Sequence, residues 1–292
     1  MQSPDVFGEM ARLAHLSDLH FGAHDERLVA GVEERLEELR PDVTVISGDF
    51  TQRARTEQFE QACLFLERLK GRGHEVLGVP GNHDVPLYDV LRRFLSPLTR
   101  YRRFIDDCLC PFHELPGAAV LGINTARSLT FKDGRINQSQ VDFIRDTFAR
   151  TRDGVMRILV THHPLFALPV GHGPELGKAI GRQELALDAI ADAGVDLLLA
   201  GHNHRASTHH AEELVTGAGE ALVIQAGTAT STRLRGEEQS FNLVEVEPAE
   251  VVLTVQAWDG DAFVARDAGR FVRKDERWES TAGEQLAEAP QA

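Results

Sequence analysis

Cysteine is scarce in this 292-residue sequence, and its spacing excludes the common cysteine-based sites. The three cysteines, Cys63, Cys108 and Cys110, form no CxxC pair, and their odd number argues against a framework of disulfides. We therefore expect reduced thiols, which are typical of a cytoplasmic protein.

A leader and long hydrophobic runs are missing as well. The first ten residues contain no basic stretch followed by an apolar one, so we expect no signal peptide. No uninterrupted apolar stretch approaches the roughly 20 residues of a membrane-spanning helix. We expect no integral membrane segment, and peripheral association with a membrane stays open.

Basic residues are fewer than acidic ones. The chain has 31 lysines and arginines against 45 aspartates and glutamates, which gives a formal net charge of -14. We expect such a surface to repel the backbone of nucleic acids and anionic lipids, and we predict no nucleic-acid partner. A metal cluster can still create a positive pocket inside an acidic protein, so a small anionic substrate is compatible with this charge.

The sequence does have the composition of a globular domain, with 42% hydrophobic residues. From Arg12 to about Ala200, short apolar runs alternate with longer amphipathic segments, which predicts an α/β core in which helices connect neighbouring strands. The predicted strands are Leu13–Leu16, Val43–Ile46, Glu75–Val79, Ala119–Ile123, Ile158–Thr161 and Asp196–Leu199. The predicted helices are Arg27–Arg40, Glu57–Lys70, Gln138–Arg150 and Gln183–Ala193.

After His204 the pattern changes to strand-like runs separated by turn residues, which predicts a mainly antiparallel second sheet within the same domain. These runs are Leu222–Gln225, Phe241–Val246 and Val251–Gln256. We predict a single domain over residues 10–272 and a disordered tail over 273–292. Residues 86–116 form a basic and aromatic insertion, which is either a solvated helical surface or a cap that contacts an anionic substrate.

Polar side chains that can bind metal ions follow five of the predicted strands. They are Asp18 with His20, Asp49, Asn82 with His83 and Asp84, His162 with His163, and His202 with His204. The carboxyl ends of strands in α/β sheets form ligand sites, so these groups are expected to share one crevice. Residues two apart in an extended segment face the same way, which would bring each Asp-x-His or His-x-His pair together. Gly48, Gly81 and Gly201 permit tight turns beside them.

These motifs resemble the signature of the calcineurin-like metallophosphoesterase superfamily. That signature runs D-x-H, G-D, G-N-H-D, a histidine after an apolar run, and G-H-x-H, and the match spans roughly Arg12 to Arg205. The segments HLSDLHFG and THHP look most like bacterial members of the cyclic-nucleotide (3',5'-cAMP) phosphodiesterase type. The resemblance implies a four-layer αββα sandwich with two mixed β-sheets.

The resemblance also implies a dinuclear metal site. One metal would take Asp18, His20, Asp49 and His204, and the other would take Asp49, Asn82, His162 and His202, with Asp49 as the bridge. Imidazole and carboxylate ligands suit Mn, Fe or Zn better than Ca. Two such ions roughly 3.5–4 Å apart can activate a shared water for attack on a phosphodiester and clamp the phosphoryl oxygens.

By resemblance, His83 is the expected acid or transition-state stabiliser, and Asp84 is expected to fix the tautomer of its imidazole. Its neighbour in the THHP motif, His163, is expected to point toward the pocket wall or solvent. Four further residues are candidates for substrate contact, with a purely structural role as the alternative: Arg53, Arg55, Asn124 and Arg127. Two more histidines, His24 and His172, lie in loops that could reach the pocket.

Several functions stay open at this point. The leading hypothesis is hydrolysis of a small phosphodiester such as a 3',5'-cyclic nucleotide. An alternative is a pyrophosphatase acting on a nucleotide-sugar lipid precursor of the UDP-diacylglucosamine type. A DNA-processing nuclease is disfavoured by the charge of -14 and by the lack of a histidine in the turn after Asp49. A non-catalytic binding scaffold is the alternative of another class, and homo-oligomers of any of these are compatible with the sequence.

Overall fold

The computed structural model describes residues 9–129, 133–168, 179–215, 219–232, 237–275 and 277–281. Its strands are β1 (Ala11–Leu16), β2 (Val43–Ile46), β3 (Val76–Gly78), β4 (Phe112–Leu115), β5 (Ala118–Ile123), β6 (Met156–Thr161), β7 (Leu197–Ala200), β8 (Ser207–His210), β9 (Leu222–Gln225), β10 (Ser240–Glu247), β11 (Glu250–Trp258), β12 (Phe263–Lys274) and β13 (Arg277–Ser280). Its α-helices are α1 (Glu26–Leu39), α2 (Thr56–Gly71), α3 (Val90–Leu95), α4 (Thr99–Phe104), α5 (Gln138–Phe148), α6 (Gln183–Ala193) and α7 (Ala211–Leu214). A short 3-10 helix covers Asn82–Asp84.

The strands form two mixed sheets. The seven-stranded sheet has the order β13-β12-β11-β10-β1-β2-β3, and the six-stranded sheet has the order β4-β5-β6-β7-β9-β8. Strands β1, β2 and β3 are parallel in the first sheet, as are β5, β6, β7 and β9 in the second. The α/β class and the two mixed sheets are therefore confirmed.

Alternating side chains divide the interior into three layers of core. Leu13 and Val45 belong to the core between the sheets, whereas Leu16 and Ile46 belong to an outer core under helices α1 and α2. A second outer core packs α5 and α6 against the other sheet. The period-two alternation of buried strands therefore produces a helix–sheet–sheet–helix sandwich.

Two expectations about the C-terminal third are corrected. The antiparallel strands β10 to β13 extend the first sheet, since β10 pairs with β1, and β9 joins the other sheet parallel to β7. They do not form a sheet of their own, because β10 continues the open edge of β1 over five paired residues. The expected tail also begins too early: β12 runs to Lys274 and β13 covers Arg277–Ser280, while residues 282–292 lie outside the described residues.

The basic and aromatic insertion contains α3, α4 and β4. Its α4 part is packed into the domain: Tyr101 is fully buried near Phe50, and the rings of Phe104 and Phe59 stack. The apolar side chains of its α3 part are exposed to solvent, whereas Arg93 of the same helix is buried. Within the described ranges, every helix falls short of the length and apolarity that crossing a bilayer requires.

Candidate metal centre

All seven predicted metal ligands lie at the carboxyl edge of the parallel strands, where the two sheets meet. Asp18, His20, Asp49 and Asn82 follow strands β1, β2 and β3 of one sheet, and His162, His202 and His204 follow β6 and β7 of the other. Asn82 and His202 are half-buried and the other five are buried. The shared crevice predicted from the sequence is therefore present in the fold.

The backbone that presents these side chains is left-handed. Five of the seven have positive φ: Asp18 (53°), His20 (50°), Asp49 (54°), His202 (73°) and His204 (59°). The expected strand alternation within Asp-x-His and His-x-His is thus wrong, because both members of each pair have left the extended region. Non-glycine residues in this region are strained and cluster at functional sites, so the turns themselves mark this edge of the molecule.

Asp18, His20 and His204 form one cluster. Nε2 of His204 lies 3.1 Å from Oδ1 of Asp18, and Nε2 of His20 lies 3.5 Å from the same oxygen. The two imidazole nitrogens are 3.2 Å apart. The other carboxylate oxygen, Oδ2, accepts from the Ser17 hydroxyl at 2.6 Å and from the His202 amide at 2.9 Å. These two bonds fix the carboxylate so that Oδ1 faces both histidines.

His162 is the centre of a second cluster. Its Nε2 lies 3.1 Å from Oδ1 of Asn82, 3.2 Å from Nδ1 of His202 and 3.4 Å from Oδ2 of Asp49. Its Nδ1 donates to the carbonyl oxygen of Ser47 over 2.8 Å. In the neutral ring that bond places the proton on Nδ1, so Nε2 is the atom that can offer a lone pair to a cation in the cluster.

Asp49 lies between the two clusters. Its Oδ2 is 3.4 Å from Nε2 of His162 and 3.8 Å from Nε2 of His20. Gly81 makes this position possible, because a Cβ there would lie 2.1 Å from Oδ1 of Asp49 and 2.4 Å from its backbone nitrogen. The close approach of the two loops therefore requires glycine at position 81.

The donor set fits two divalent cations. Two ligand atoms that each lie about 2.0–2.2 Å from one ion are roughly 3–3.5 Å apart, and the short contacts within both clusters fall in this range. The paired imidazole nitrogens of His20 and His204, 3.2 Å apart, are close enough for one cation to bind both lone pairs. Among the residues that the structure describes, three overlapping groups of histidine and carboxylate atoms are close enough to hold an ion, and one of them adds His163 to His162 and His202.

The electrostatics of the crevice favour positive charge. Burial by itself would raise the pKa of Asp18 and Asp49, but the surrounding imidazoles outweigh it and hold both pKa values well below the usual range. Burial would lower the pKa of His162, yet Asp49 and Asp18 raise it to about 9. Two ionised carboxylates in a buried crevice are the environment that a cation stabilises.

His83 stands beside the clusters without joining them. Its ring meets that of His20 edge-on at 4.9 Å, and its Nδ1 donates to the backbone carbonyl of Gln52 over 2.7 Å. That bond leaves Nε2 as the atom that can exchange a proton with a bound molecule. The predicted role of Asp84 in fixing the tautomer is wrong, because Gln52 supplies this contact.

Asp84 instead fastens two ligand loops together. Its buried carboxylate accepts from the backbone amides of Phe50 (3.2 Å), Thr51 (2.9 Å) and Gly81 (2.9 Å). Burial, together with the nearby charge of Asp49, raises the pKa of Asp84 to about 6. The side chain therefore holds the loop after β2 against the loop after β3.

The remaining candidates divide between the pocket wall and the surface. His163 is buried, with its ring 4.8 Å from those of both His162 and His202 and its Nδ1 2.8 Å from the Thr125 hydroxyl, so it lies in the wall and not in solvent. Arg127 donates to loop carbonyls, including that of Asn124 at 3.5 Å.

Three other candidates make their contacts outside the two clusters, and one cannot be placed. Arg53 and Arg55 are exposed at the start of α2, and Arg53 donates to the Tyr88 hydroxyl over 2.7 Å. His24 contacts Glu26 at 3.0 Å at the start of α1. His172 lies outside the described residues.

Sequence motifs did not reveal the groups that orient the ligands. The carbonyl groups of Ser47 and Gln52 act through the backbone, which no residue type encodes. Thr228 and Thr230 donate to the carbonyls of Asp18 and Leu19 over 2.8 and 2.7 Å, and so brace the first ligand loop. Both threonines lie more than 200 residues from that loop in the chain, in the segment that leads from β9 into β10, and β10 pairs with β1.

Residues 11–206 match the family model of the calcineurin-like phosphoesterases. The chain belongs to this family, and the membership indicates a metal-dependent phosphoester hydrolase.

Two curated relatives match over short segments. They are the DNA double-strand break repair protein Mre11 of Methanopyrus kandleri (35% identity over 86 residues) and the glycerophosphodiester phosphodiesterase GpdQ of Enterobacter lignolyticus (36% over 83 residues). Each match covers 25% of this chain, and it covers 19% of Mre11 and 29% of GpdQ. The chain therefore spans less than a third of either relative.

Solved structures share the fold at low sequence identity. A dimetal phosphatase from Danio rerio has a TM-score of 0.61 and 13% identity, with 88% of this chain and 98% of that chain covered. A structure of PhoD has a TM-score of 0.68 and 10% identity, with 98% and 74% covered. A purple acid phosphatase from yellow lupin (Lupinus luteus) seeds has a TM-score of 0.65 and 12% identity, with 92% and 55% covered.

Proposed function

We propose that this chain is a dinuclear-metal phosphodiesterase that hydrolyses a small diester, with a 3',5'-cyclic nucleotide as the first candidate substrate. The observation that carries the proposal is the position of Asp49, whose Oδ2 lies 3.4 Å from His162 and 3.8 Å from His20 and so connects the two clusters. Diester hydrolysis is supported by the short match to a glycerophosphodiester phosphodiesterase.

In this proposal, Asp18, His20 and His204 hold one ion, Asn82, His162 and His202 hold the other, and Asp49 is shared. Mn, Fe and Zn suit these ligands. Two such ions, when bound, supply the Lewis acidity that lowers the pKa of a coordinated water and neutralises charge on the phosphoryl oxygens. The amide oxygen of Asn82 binds without adding negative charge, so the crevice keeps its attraction for a phosphate.

The other residues bind and orient. The Nδ1–H of His83 is held by the Gln52 carbonyl, so the protonated ring presents Nε2–H to the oxygen of the leaving group. Ser17 and Ser47 hold Asp18 and His162 in the orientations that face the clusters. Asp84 keeps the loops of Asp49 and Asn82 at a fixed separation.

The test is hydrolysis of bis(p-nitrophenyl) phosphate with added Mn²⁺, together with metal analysis of the same samples. We expect the wild type to bind two equivalents and turn over, and Asn82→Ala to bind about one equivalent and lose most of its turnover. His113→Ala changes a histidine of β4 outside the clusters and should behave as wild type. Folded wild type that binds no metal and shows no turnover would contradict the proposal and favour a scaffold.

Substrate choice is tested with a panel. The comparison of kcat/KM for cAMP, cGMP, a nucleotide-sugar lipid and single-stranded DNA separates the cyclic-nucleotide hypothesis from the pyrophosphatase and nuclease alternatives. Preference for cAMP or cGMP supports the cyclic-nucleotide hypothesis, and preference for either of the other substrates contradicts it.

A further inference from the structure

A run of large apolar side chains on and before helix α3 is open to solvent. Leu91 and Leu95 are 72% and 75% exposed. The other members of this α3 face are Leu87, Tyr88, Val90 and Phe94. Single exposed apolar residues are ordinary, but a contiguous group of this size marks an interaction surface.

The local charge around the α3 face is opposite to that of the whole chain. Between residues 86 and 107 there are five arginines and three aspartates, in a protein whose formal net charge is -14. Arg102 and Arg103 are exposed, and Arg102 pairs with Asp107 at 3.2 Å. The expected repulsion of anionic surfaces therefore does not apply to this part of the molecule.

A cleft of about 220 Å³ adjoins the α3 face, and three arginines line it: Arg53, Arg55 and Arg100. Its apolar wall is made by Leu87 and Tyr88, which are also members of the α3 face. The carboxylate in the cleft, Asp89, is already paired with Arg92 at 3.2 Å. Guanidinium groups over an open cleft match a phosphate headgroup, which they can bind through two parallel hydrogen bonds.

We propose that the α3 face and its arginine cleft dock on a bilayer that contains anionic lipids. The apolar side chains would enter the boundary between headgroups and acyl chains, while the arginines bind headgroup phosphates. An exposed apolar surface flanked by arginines is the pattern of interfacial membrane binding. Charge complementarity favours this occupant over a second copy of the chain, because a second α3 face would bring arginines against arginines.

The docked surface adjoins the candidate metal centre. Arg53 donates to the hydroxyl of Tyr88, and the carbonyl of the preceding residue, Gln52, holds His83. The arginine cleft and the proposed acid, His83, are therefore linked through adjacent residues of one loop. The docking itself does not depend on the proposed phosphodiesterase activity.

The experiment is co-sedimentation of the full chain with vesicles of phosphatidylcholine, with and without phosphatidylglycerol. We expect the wild type to sediment with the mixed vesicles, and to do so less at high salt. The variant Leu91→Glu/Leu95→Glu should lose at least about tenfold in partitioning. Arg53→Gln/Arg55→Gln should lose the preference for phosphatidylglycerol.

Leu64→Glu is the control, since Leu64 is 55% exposed on α2 and is not a member of the α3 face. It should sediment as wild type. Thermal unfolding and turnover of a soluble diester show whether each variant is folded. The proposal is overturned if the wild type does not sediment with the mixed vesicles. It is also overturned if Leu91→Glu/Leu95→Glu sediments with them as much as the wild type does. A dimer seen by light scattering that this variant abolishes, without vesicle binding, assigns the surface to a second copy.

Discussion

The backbone amide of His83 donates to Oδ1 of Asp49 over 2.8 Å, and this bond turns Oδ2 of the same carboxylate toward both histidine clusters. The residue proposed to protonate the leaving group thus also orients the carboxylate proposed to join the ions. The two functions are carried by different atoms of His83, its amide and its imidazole, so they can be separated by substitution.

Asp49→Asn keeps an oxygen for the His83 amide but removes the charge between the clusters. We expect the metal content to fall below two equivalents and kcat/KM to fall by at least about 100-fold, since even groups that only orient a ligand cost 10- to 100-fold. Asp188→Asn, on the exposed side of α6, is the control. Full metal content in Asp49→Asn would remove the bridging role from Asp49.

His83→Gln removes the imidazole and keeps the amide bond to Asp49. Turnover of a diester with a poor leaving group is expected to fall about 100- to 10,000-fold, with two metal equivalents retained. The defect should shrink with p-nitrophenolate, which leaves without protonation. A defect of equal size for good and poor leaving groups would show that His83 does not act as the acid.

Asp84→Ala leaves the amides of Phe50, Thr51 and Gly81 without their acceptor. We expect the free energy of unfolding to fall by about 3 kcal/mol, measured by urea denaturation of metal-free protein at about pH 5, because buried unsatisfied donors are costly. The loss should be smaller above about pH 6, because the raised pKa of Asp84 makes its ionised form costly in the folded state. Asp107→Ala, whose carboxylate is exposed, should change little. Unchanged stability with lost turnover would instead support the chemical role that the sequence suggested for Asp84.

Gly81→Ala adds a methyl group at 2.1 Å from Oδ1 of Asp49, so the loops after β2 and β3 must separate. We expect turnover to fall about 100-fold, since a displacement of about 1 Å at a reacting centre has this effect. Gly71→Ala is the matched control, because its methyl would meet nothing within 4 Å. Wild-type turnover in Gly81→Ala would mean that the loop spacing is not critical.

Cys108 and Cys110 should differ in reactivity although they are close in the chain. Cys108 is exposed, whereas burial raises the pKa of Cys110 and so reduces its thiolate fraction at neutral pH. Iodoacetamide should therefore modify Cys108 first, which peptide mass spectrometry can follow. Faster modification of Cys110 would contradict the burial seen at the end of the insertion.

The pattern of apolar and polar residues was enough to predict individual strands, because a strand's bounds depend mainly on neighbouring residues. Val43–Ile46 and Leu222–Gln225 are strands with the predicted bounds, and Asp49 follows the first of them at the edge where the ligand candidates meet. The sequence did not predict which strands pair or where the backbone is left-handed. The partner of β10 is β1, more than 200 residues earlier, and no period in either strand specifies that choice.

The site shows the same division. The residue types and their order brought the ligand candidates to notice, but the left-handed turns at Asp18 and His20 cannot be read from two non-glycine residues. Gln52 was missed because its contribution is a backbone carbonyl. The role of Asp84 was predicted wrongly for a related reason, because its partners are the backbone amides of Phe50, Thr51 and Gly81.

The candidate ligands come from both sheets, and this has a mechanical consequence. A ligand bound by these seven side chains contacts loops of both sheets, so its binding free energy stabilises the packing of one sheet against the other. Ligand occupancy of this site and the thermal stability of the domain are then thermodynamically linked. Loss of the bound ligand should therefore weaken the packing between the two sheets before it weakens the hydrogen bonding within either sheet.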